Sequence, residues 1–344
     1  MVSHMLLPAL HTPRPQTGAR AAMALAAQDL KSLVAVDLDQ VEQAIATVLG
    51  RRPPQLSGII DHVSEYRGKR FRPLLALLTA RLLGCESPGR LDLAVAMELM
   101  HTASLVHDDI LDNADTRRHI PTIHSRWGSQ SAVLLGDYLF SHAFVLAAQV
   151  GDTRVTLEVA ETARKVCEGE LKQNLEVGNW LLSETAYLEI IEGKTAELMA
   201  ASCRLMAVHA RAGETVCHAL DTYGRSLGMA FQMADDLLDL EGDEETTGKS
   251  LGTDLQQGKV TLPIIHALAT TDTPTRGHLL ALLAGSAKRA ALRPILDASG
   301  SLDHTRHRAE DFVGQARRAL QILPSTPFRQ ALQDAADRAL HRAC

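Results

Sequence analysis

The chain has 344 residues, 46% hydrophobic and 22% charged, which makes it a folded protein with a sizeable core and excludes a disordered one. Its formal net charge is −6 and no basic stripe runs along it, so no nucleic acid is expected as partner. Five cysteines, odd in number and without a CxxC pair, read as free thiols of a reducing compartment, and the expected location is cytoplasmic.

Aromatics make up only 3% of the chain, and Ala and Leu recur at i, i+3, i+4 spacing, so the predicted fold class is all-α. Residues 1–30 read as a disordered N-terminal tail; the stretch 1–28 has no Asp or Glu, and Pro8 interrupts its apolar run. A first helix runs from about residue 30 to Gly50, where Pro53-Pro54 ends it. Pro88-Gly89 precedes a long apolar helix over 90–113, and Pro121 follows it. Gly151-Asp152, Gly178-Asn179 and Ala212-Gly213 punctuate three further helices. Residues 242–258 read as a long polar loop, after which helices resume at Val260 with breaks near Pro274, Gly300 and Pro324. No interdomain linker or fixed-period repeat interrupts the pattern, so residues 31–344 are expected to form a single domain. No run reaches the roughly 18 apolar residues of a membrane span, and none is expected.

Two of these helices end alike. Asp108-Asp109-Ile110-Leu111-Asp112 and Asp235-Asp236-Leu237-Leu238-Asp239 are both DDxxD, each closing an apolar stretch. At four-residue spacing Asp108 and Asp112 share a helix face, as do Asp235 and Asp239, and each pair repels by roughly 0.2–0.5 kcal/mol. A solvated acidic face explains one such cluster poorly and two worse, because the helices that carry them are too apolar to be exposed. Carboxylates at the rim of a cavity, neutralised by cations, explain both. Hard oxygen ligands without a companion His or Cys set favour Mg²⁺, which takes one or two carboxylates and completes its shell with phosphate oxygens. Two such rims can therefore hold a diphosphate between them.

Cations suited to anions stand close by in sequence. Gly68-Lys69-Arg70-Phe71-Arg72-Pro73 opens a helix, Arg117-Arg118 follows the first acidic cluster, Lys194 lies in Glu192-Gly193-Lys194-Thr195, and Lys249 and Lys259 flank the loop after the second. One of these alone reads as a surface charge; the set suits two diphosphates, one held through metal and one directly by Lys and Arg.

With these segments the chain resembles the trans-polyprenyl diphosphate synthases of the farnesyl, geranylgeranyl and octaprenyl type, over roughly residues 31–340. The resemblance rests on GKRFRP, DDILDNADTRR, GDYLF at 136–140, EIIEGKT at 189–195, FQMADDLLD and KSLGTDLQQGK at 249–259. It implies a large helical bundle around a deep central cavity, a homodimer, isopentenyl diphosphate and an allylic diphosphate as substrates, and two or three Mg²⁺ ions for which Mn²⁺ can substitute. Asp108, Asp109, Asp112, Asp235, Asp236 and Asp239 then match the two aspartate-rich motifs, with Asp108, Asp112 and Asp235 as metal ligands. Arg117, Lys194, Lys249 and Lys259 match ligands of the allylic diphosphate; Lys69, Arg72, His101 and Arg118 match the isopentenyl diphosphate site; Thr195 and Gln232 match positions beside the reacting carbon. His119 departs from the pattern, which has Gly after the Arg pair. Ala103 and Ser104 lie roughly one helical turn below Asp108, and small side chains there resemble long-chain members, whose products run from about C30 to C50.

Three other readings compete. A short-chain synthase would place a bulky aromatic at 103 or 104, and a terpene cyclase would carry Asn and Ser in its second metal motif and more aromatics than these. A non-catalytic partner subunit of a heteromeric synthase would lose its Asp motifs, whereas both stand here.

Overall fold

The computed structural model describes residues 30–66, 68–242, 252–285 and 289–340. After a first helix, α1 (Ala35–Gly50), come α2 (Ser57–Ser64), α3 (Phe71–Leu82) and the long α4 (Gly89–Leu111). A two-residue hairpin, β1 (Thr116–Arg117) and β2 (Ile120–Pro121), leads into α5 (Ile123–Trp127), α6 (Ser129–Gln149) and α7 (Thr153–Leu175). Next are α8 (Glu184–Ile191), a π-helical turn (Glu192–Ala196), α9 (Glu197–His209) and α10 (Glu214–Glu241). The C-terminal part contains α11 (Thr253–Gln256), α12 (Leu262–Thr270), α13 (Thr273–Ala284), α14 (Arg289–Ala298), α15 (Ser301–Ala319) and α16 (Pro327–Leu340).

The all-α reading holds, with the hairpin as its small exception among the described residues. Local chemistry starts helices at or near the predicted breaks at Gly151-Asp152 and Pro274, and a third at Ser183, beyond the break expected at Gly178-Asn179. Asp152, Ser183 and Asp272 each accept a backbone N–H of the turn they cap, which satisfies donors that the helix itself leaves open. The expected loop over 242–258 is corrected at its end. Asp239 Oδ1 accepts the N–H of Gly252 (2.9 Å) and of Thr253 (3.2 Å), and this side-chain cap winds residues 253–256 into one helical turn. Of the tail expected over 1–30, all but Leu30 lies outside the described residues.

The helices α4 and α10 run through the centre. Leu93 to Met100 are eight consecutive buried positions on α4, and α10 buries Leu227 to Ala230, Met233, Ala234, Asp236 and Leu237. A helix apolar on every side must be covered on every side. α6 packs most heavily on α4, while α9 and α15 cover α10, and α9 reaches α3, α4 and α7. The buried core runs from Leu30 to Ala339. Glycine lets two crossings close: a Cβ on Gly228 would stand 2.4 Å from Ala196 Cα, and one on Gly169 would stand 2.4 Å from the Lys194 nitrogen. Both crossings clamp the π-turn between α7 and α10.

Candidate active site

The first acidic cluster lies on the last turn of α4. Its three aspartates divide their work because successive helical side chains point about 100° apart. Asp109 turns into the protein, fully buried, where Arg117 Nε and Nη2 both reach its Oδ1 at 2.8 Å. Asp108 and Asp112 face outward toward lysines from distant segments. Lys259 Nζ donates to Asp112 Oδ1 at 2.8 Å, and Lys194 Nζ stands 3.8 Å from Asp108 Oδ1.

The second cluster repeats the division on α10. Asp236 is buried, its Oδ2 accepting from the Tyr187 hydroxyl (2.6 Å) and its Oδ1 from Gln232 Nε2 (2.8 Å). Burial first, and then the charge of Asp254, pushes its pKa up to about 8. Asp239 caps α11 as described, and Asp254 on α11 is raised to about 6 by burial and by Asp239. Asp112 also raises Asp254, so Asp254 feels a carboxylate of each cluster.

The π-turn carries the groups between them. Lys194 Nζ donates to Glu170 Oε2 and Gln173 Oε1, both at 2.8 Å, and Thr195 Oγ1 donates to Gln232 Oε1 at 2.7 Å. Glu170 is pushed up to about 7 by burial and by Asp108, and Lys194 is raised by Asp108 and Glu170 against the opposing effect of burial. Single π-turns within α-helices concentrate at functional sites. A narrow groove lined by Gln173, Tyr187, Gln232, Asp236, Asp254 and Lys259 among others opens beside these residues.

A second group of cations collects around His101. Burial lowers the imidazole's pKa well below its usual value, and the charges of Arg72, Arg117, Arg118 and Arg70 push it further down, so the ring is neutral among guanidinium groups. Lys69 is exposed at the entry of α3. Arg70, in left-handed conformation (φ 54°), points instead to Glu42 and buried Glu98 and fixes the segment between Lys69 and Arg72. Arg118 Nη1 donates to the Tyr66 carbonyl at 3.2 Å. Phe71 and Phe231 stack at 6.0 Å, joining this group to α10.

Of the residues singled out in the sequence, the structure brings Asp108, Asp109, Asp112, Lys194 and Lys259 together, and Asp235, Asp236 and Asp239 with Thr195 and Gln232. Arg72, His101 and Arg118 gather apart from them, with Lys69 exposed at the entry of α3, and Arg117 stands between, on Asp109 and facing His101. Lys249 lies outside the described residues. The departure at His119 acquires a reason: Arg118 and His119 have φ of 53° and 67°, the two left-handed positions of a tight hairpin, where Gly fits without strain. Ala103 is fully buried, while Ser104 keeps partial exposure and donates to the His101 carbonyl at 2.9 Å. Glu170, Gln173, Tyr187 and Asp254 escaped sequence reasoning. Glu170 and Gln173 share a face of α7 at i, i+3, and Asp254 stands inside KSLGTDLQQGK, which are the signals that could have found them.

The carboxylates fit a divalent cation. Asp109 Oδ2 and Asp239 Oδ2 are buried without hydrogen-bond partners, and Glu170, Asp236 and Asp254 all have raised pKa values, by burial first and then by neighbouring carboxylates. Among the described residues no three His, Cys, Asp or Glu side chains are grouped closely enough to hold a metal ion by themselves.

A family model described as polyprenyl synthetase matches residues 53–298. The octaprenyl diphosphate synthase of Escherichia coli (strain K12) is 36% identical over 320 residues, covering 92% of this chain and 98% of that protein. The crystal structure of a decaprenyl diphosphate synthase from Rhodobacter capsulatus matches with a TM-score of 0.87 at 34% identity, over 92% of this chain and 99% of that one. That of a polyprenyl synthase from Caulobacter crescentus CB15, complexed with calcium and isoprenyl diphosphate, matches with a TM-score of 0.86 at 35% identity, over 92% and 98%.

Proposed function

This chain belongs to the polyprenyl synthetase family, and from that premise we propose that it condenses isopentenyl diphosphate repeatedly onto an allylic diphosphate to give a long-chain all-trans polyprenyl diphosphate. The observation that carries this reading is the pairing of Lys194 and Lys259 with the first DDxxD cluster while both, with Asp239 of the second, act on Asp254, beside a separate set of cations around His101. The octaprenyl and decaprenyl relatives and the small side chains of Ala103 and Ser104 support the long product.

Asp108, Asp112 and Asp235 would hold two or three Mg²⁺ ions, or Mn²⁺ in their place; the calcium of the Caulobacter relative supports a divalent cation. Bound there, the cation supplies positive charge to the departing diphosphate. Lys194, Lys259 and Arg117, with Lys249, bind the allylic diphosphate and stabilise the charge that grows on it as the carbon–oxygen bond breaks. Lys69, Arg72, Arg118 and the neutral ring of His101 hold isopentenyl diphosphate with its double bond toward the allylic carbon. Thr195 and Gln232, bonded to each other at 2.7 Å, flank that carbon. The double bond attacks the allylic cation, and the departing diphosphate takes the proton released as the new double bond forms.

We also propose that residues 31–344 form one domain, which the continuous core supports. A homodimer is supported by α6, the one helix among the described residues long and apolar enough to cross a membrane, of which only 39% is buried; Val133, Leu134, Val145 and, on α7, Leu157 and Leu171 stay exposed. The four described cysteines are free, which supports a cytoplasmic location. Incubation with labelled isopentenyl diphosphate, allylic primers of graded length and Mg²⁺, followed by sizing of the product, tests the reading. A long polyprenyl product that vanishes in EDTA is expected; full activity in EDTA, or no chain growth, refutes it.

A further inference from the structure

Both ends of the π-turn that carries Lys194 and Thr195 are gripped from α10 by one guanidinium. Arg225 Nη1 donates to Glu192 Oε1 and to Glu197 Oε2, each at 2.9 Å. These carboxylates are five residues apart. In an α-helix that spacing turns side chains about 140° away from each other, and only the wider π-turn brings them onto one face. We propose that Glu197 and Arg225 are positioning residues of the allylic site: their ion pair selects the π over the α conformation at residues 192–196 and so aims Lys194 and Thr195.

The surroundings of the pair make it rigid. Glu197 is 1% exposed, and its Oε1 also accepts from Arg204 Nη2 (2.8 Å) and Lys165 Nζ (3.2 Å). Arg204 donates to Glu158 on α7 (2.7 Å), and both Arg204 and Arg225 donate to Asp221 on α10. Three cations and four carboxylates thus tie α7, the turn, α9 and α10 into one network. The groove it lines, with Lys165, Lys172, Glu192 and Arg225, shares no residue with the groove of Gln232, Asp236 and Lys259. The network thus lies outside the groove of Gln232, Asp236 and Lys259 and reaches it through the turn. Reversion of the turn to α-helix would rotate the side chains on one side of it by about 100° relative to the other. Lys194 would then leave Glu170 and Asp108, or Thr195 would leave Gln232.

This inference rests on the assignment of Lys194 and Thr195 to the allylic site, and Lys194→Ala tests that assignment separately by its effect on the allylic KM. Steady-state kinetics with each diphosphate varied in turn test the inference on the folded full chain. Arg225→Met, and to a smaller degree Glu192→Ala, should raise the allylic KM by roughly 10- to 100-fold and leave the KM for isopentenyl diphosphate within about twofold. Arg225→Lys, whose ammonium can still reach both carboxylates, should recover most of the loss. Arg81→Met, which breaks the ion pair with buried Asp37 outside this network, should lower the thermal midpoint without moving the ratio of the two KM values. An equal rise in both KM values, or a ratio shifted as far by Arg81→Met as by Arg225→Met, overturns the proposal. If Arg225→Met does not fold, Glu192→Ala decides alone, because half-exposed Glu192 contributes a single grip; an unchanged allylic KM there overturns it.

Discussion

Removing or adding the metal should move protons. Without metal, Asp236 titrates at about 8, Glu170 at about 7 and Asp254 at about 6, each raised first by burial and then by a neighbouring carboxylate. At pH 7 these interacting groups together therefore hold about one to two protons. A divalent cation between the two clusters favours the charged forms and expels those protons. Binding at pH 7 should therefore release about one to two protons per chain, and at pH 8.5 only about 0.3, because the carboxyls have already ionised. Titration calorimetry in buffers of different ionisation enthalpy reads the number directly. The sign for stability follows the same logic. A carboxyl whose folded pKa is raised above its unfolded value stabilises the fold below the ordinary carboxylate range and loses that contribution as pH rises through the folded value. The metal-free chain should thus lose thermal stability from about pH 4, the ordinary carboxylate range, up to about pH 8, and Mg²⁺ should restore it at the upper end. No proton release at pH 7, or a release as large at pH 8.5, would refute this account of the site.

Other variants separate the remaining roles. Lys69→Ala or Arg72→Ala should chiefly raise the KM for isopentenyl diphosphate and Lys194→Ala that for the allylic substrate; equal effects of all three on both substrates would dissolve the division into two sites. Ala103→Tyr or Ser104→Phe should shorten the major product toward C15 or C20 at a near-normal rate of first condensation, because both positions lie roughly 6–7 Å below Asp108 along α4. Product sizing decides it, and wild-type length from both variants would put the floor of the tail site on another helix. His119→Gly should raise stability by about 0.5–1 kcal/mol: relief of a left-handed residue is worth about 1–2 kcal/mol, and the greater backbone freedom of glycine takes part of it back. Calorimetry should show a small upward shift of the melting midpoint, and a lower one would contradict the strain assigned to this turn.

Much of the molecule was written locally. Apolar spacing along 90–113 and 214–241 sets helices, and Asp152, Ser183 and Asp272 start others, because such signals act within one or two turns. The four-residue spacing of Asp108 and Asp112, and of Asp235 and Asp239, likewise puts each pair on one face whatever the rest of the chain does. The sequence alone therefore determined the fold class and the two acidic rims. It did not say that Asp109 and Asp236 turn into the wall, since that depends on Arg117 and on Tyr187 arriving from other segments. Nor did it give the pairing of Lys259 with Asp112, 147 residues away, or of Lys194 with Glu170 and Gln173. The π-turn was invisible for the same reason. Nothing in Glu192-Gly193-Lys194-Thr195-Ala196 forbids an ordinary helix; the backbone crossings at Gly169 and Gly228 and the grip of Arg225 exist only once α7 and α10 have packed. Helix packing decides which distant side chains meet, and a local pattern carries no record of it.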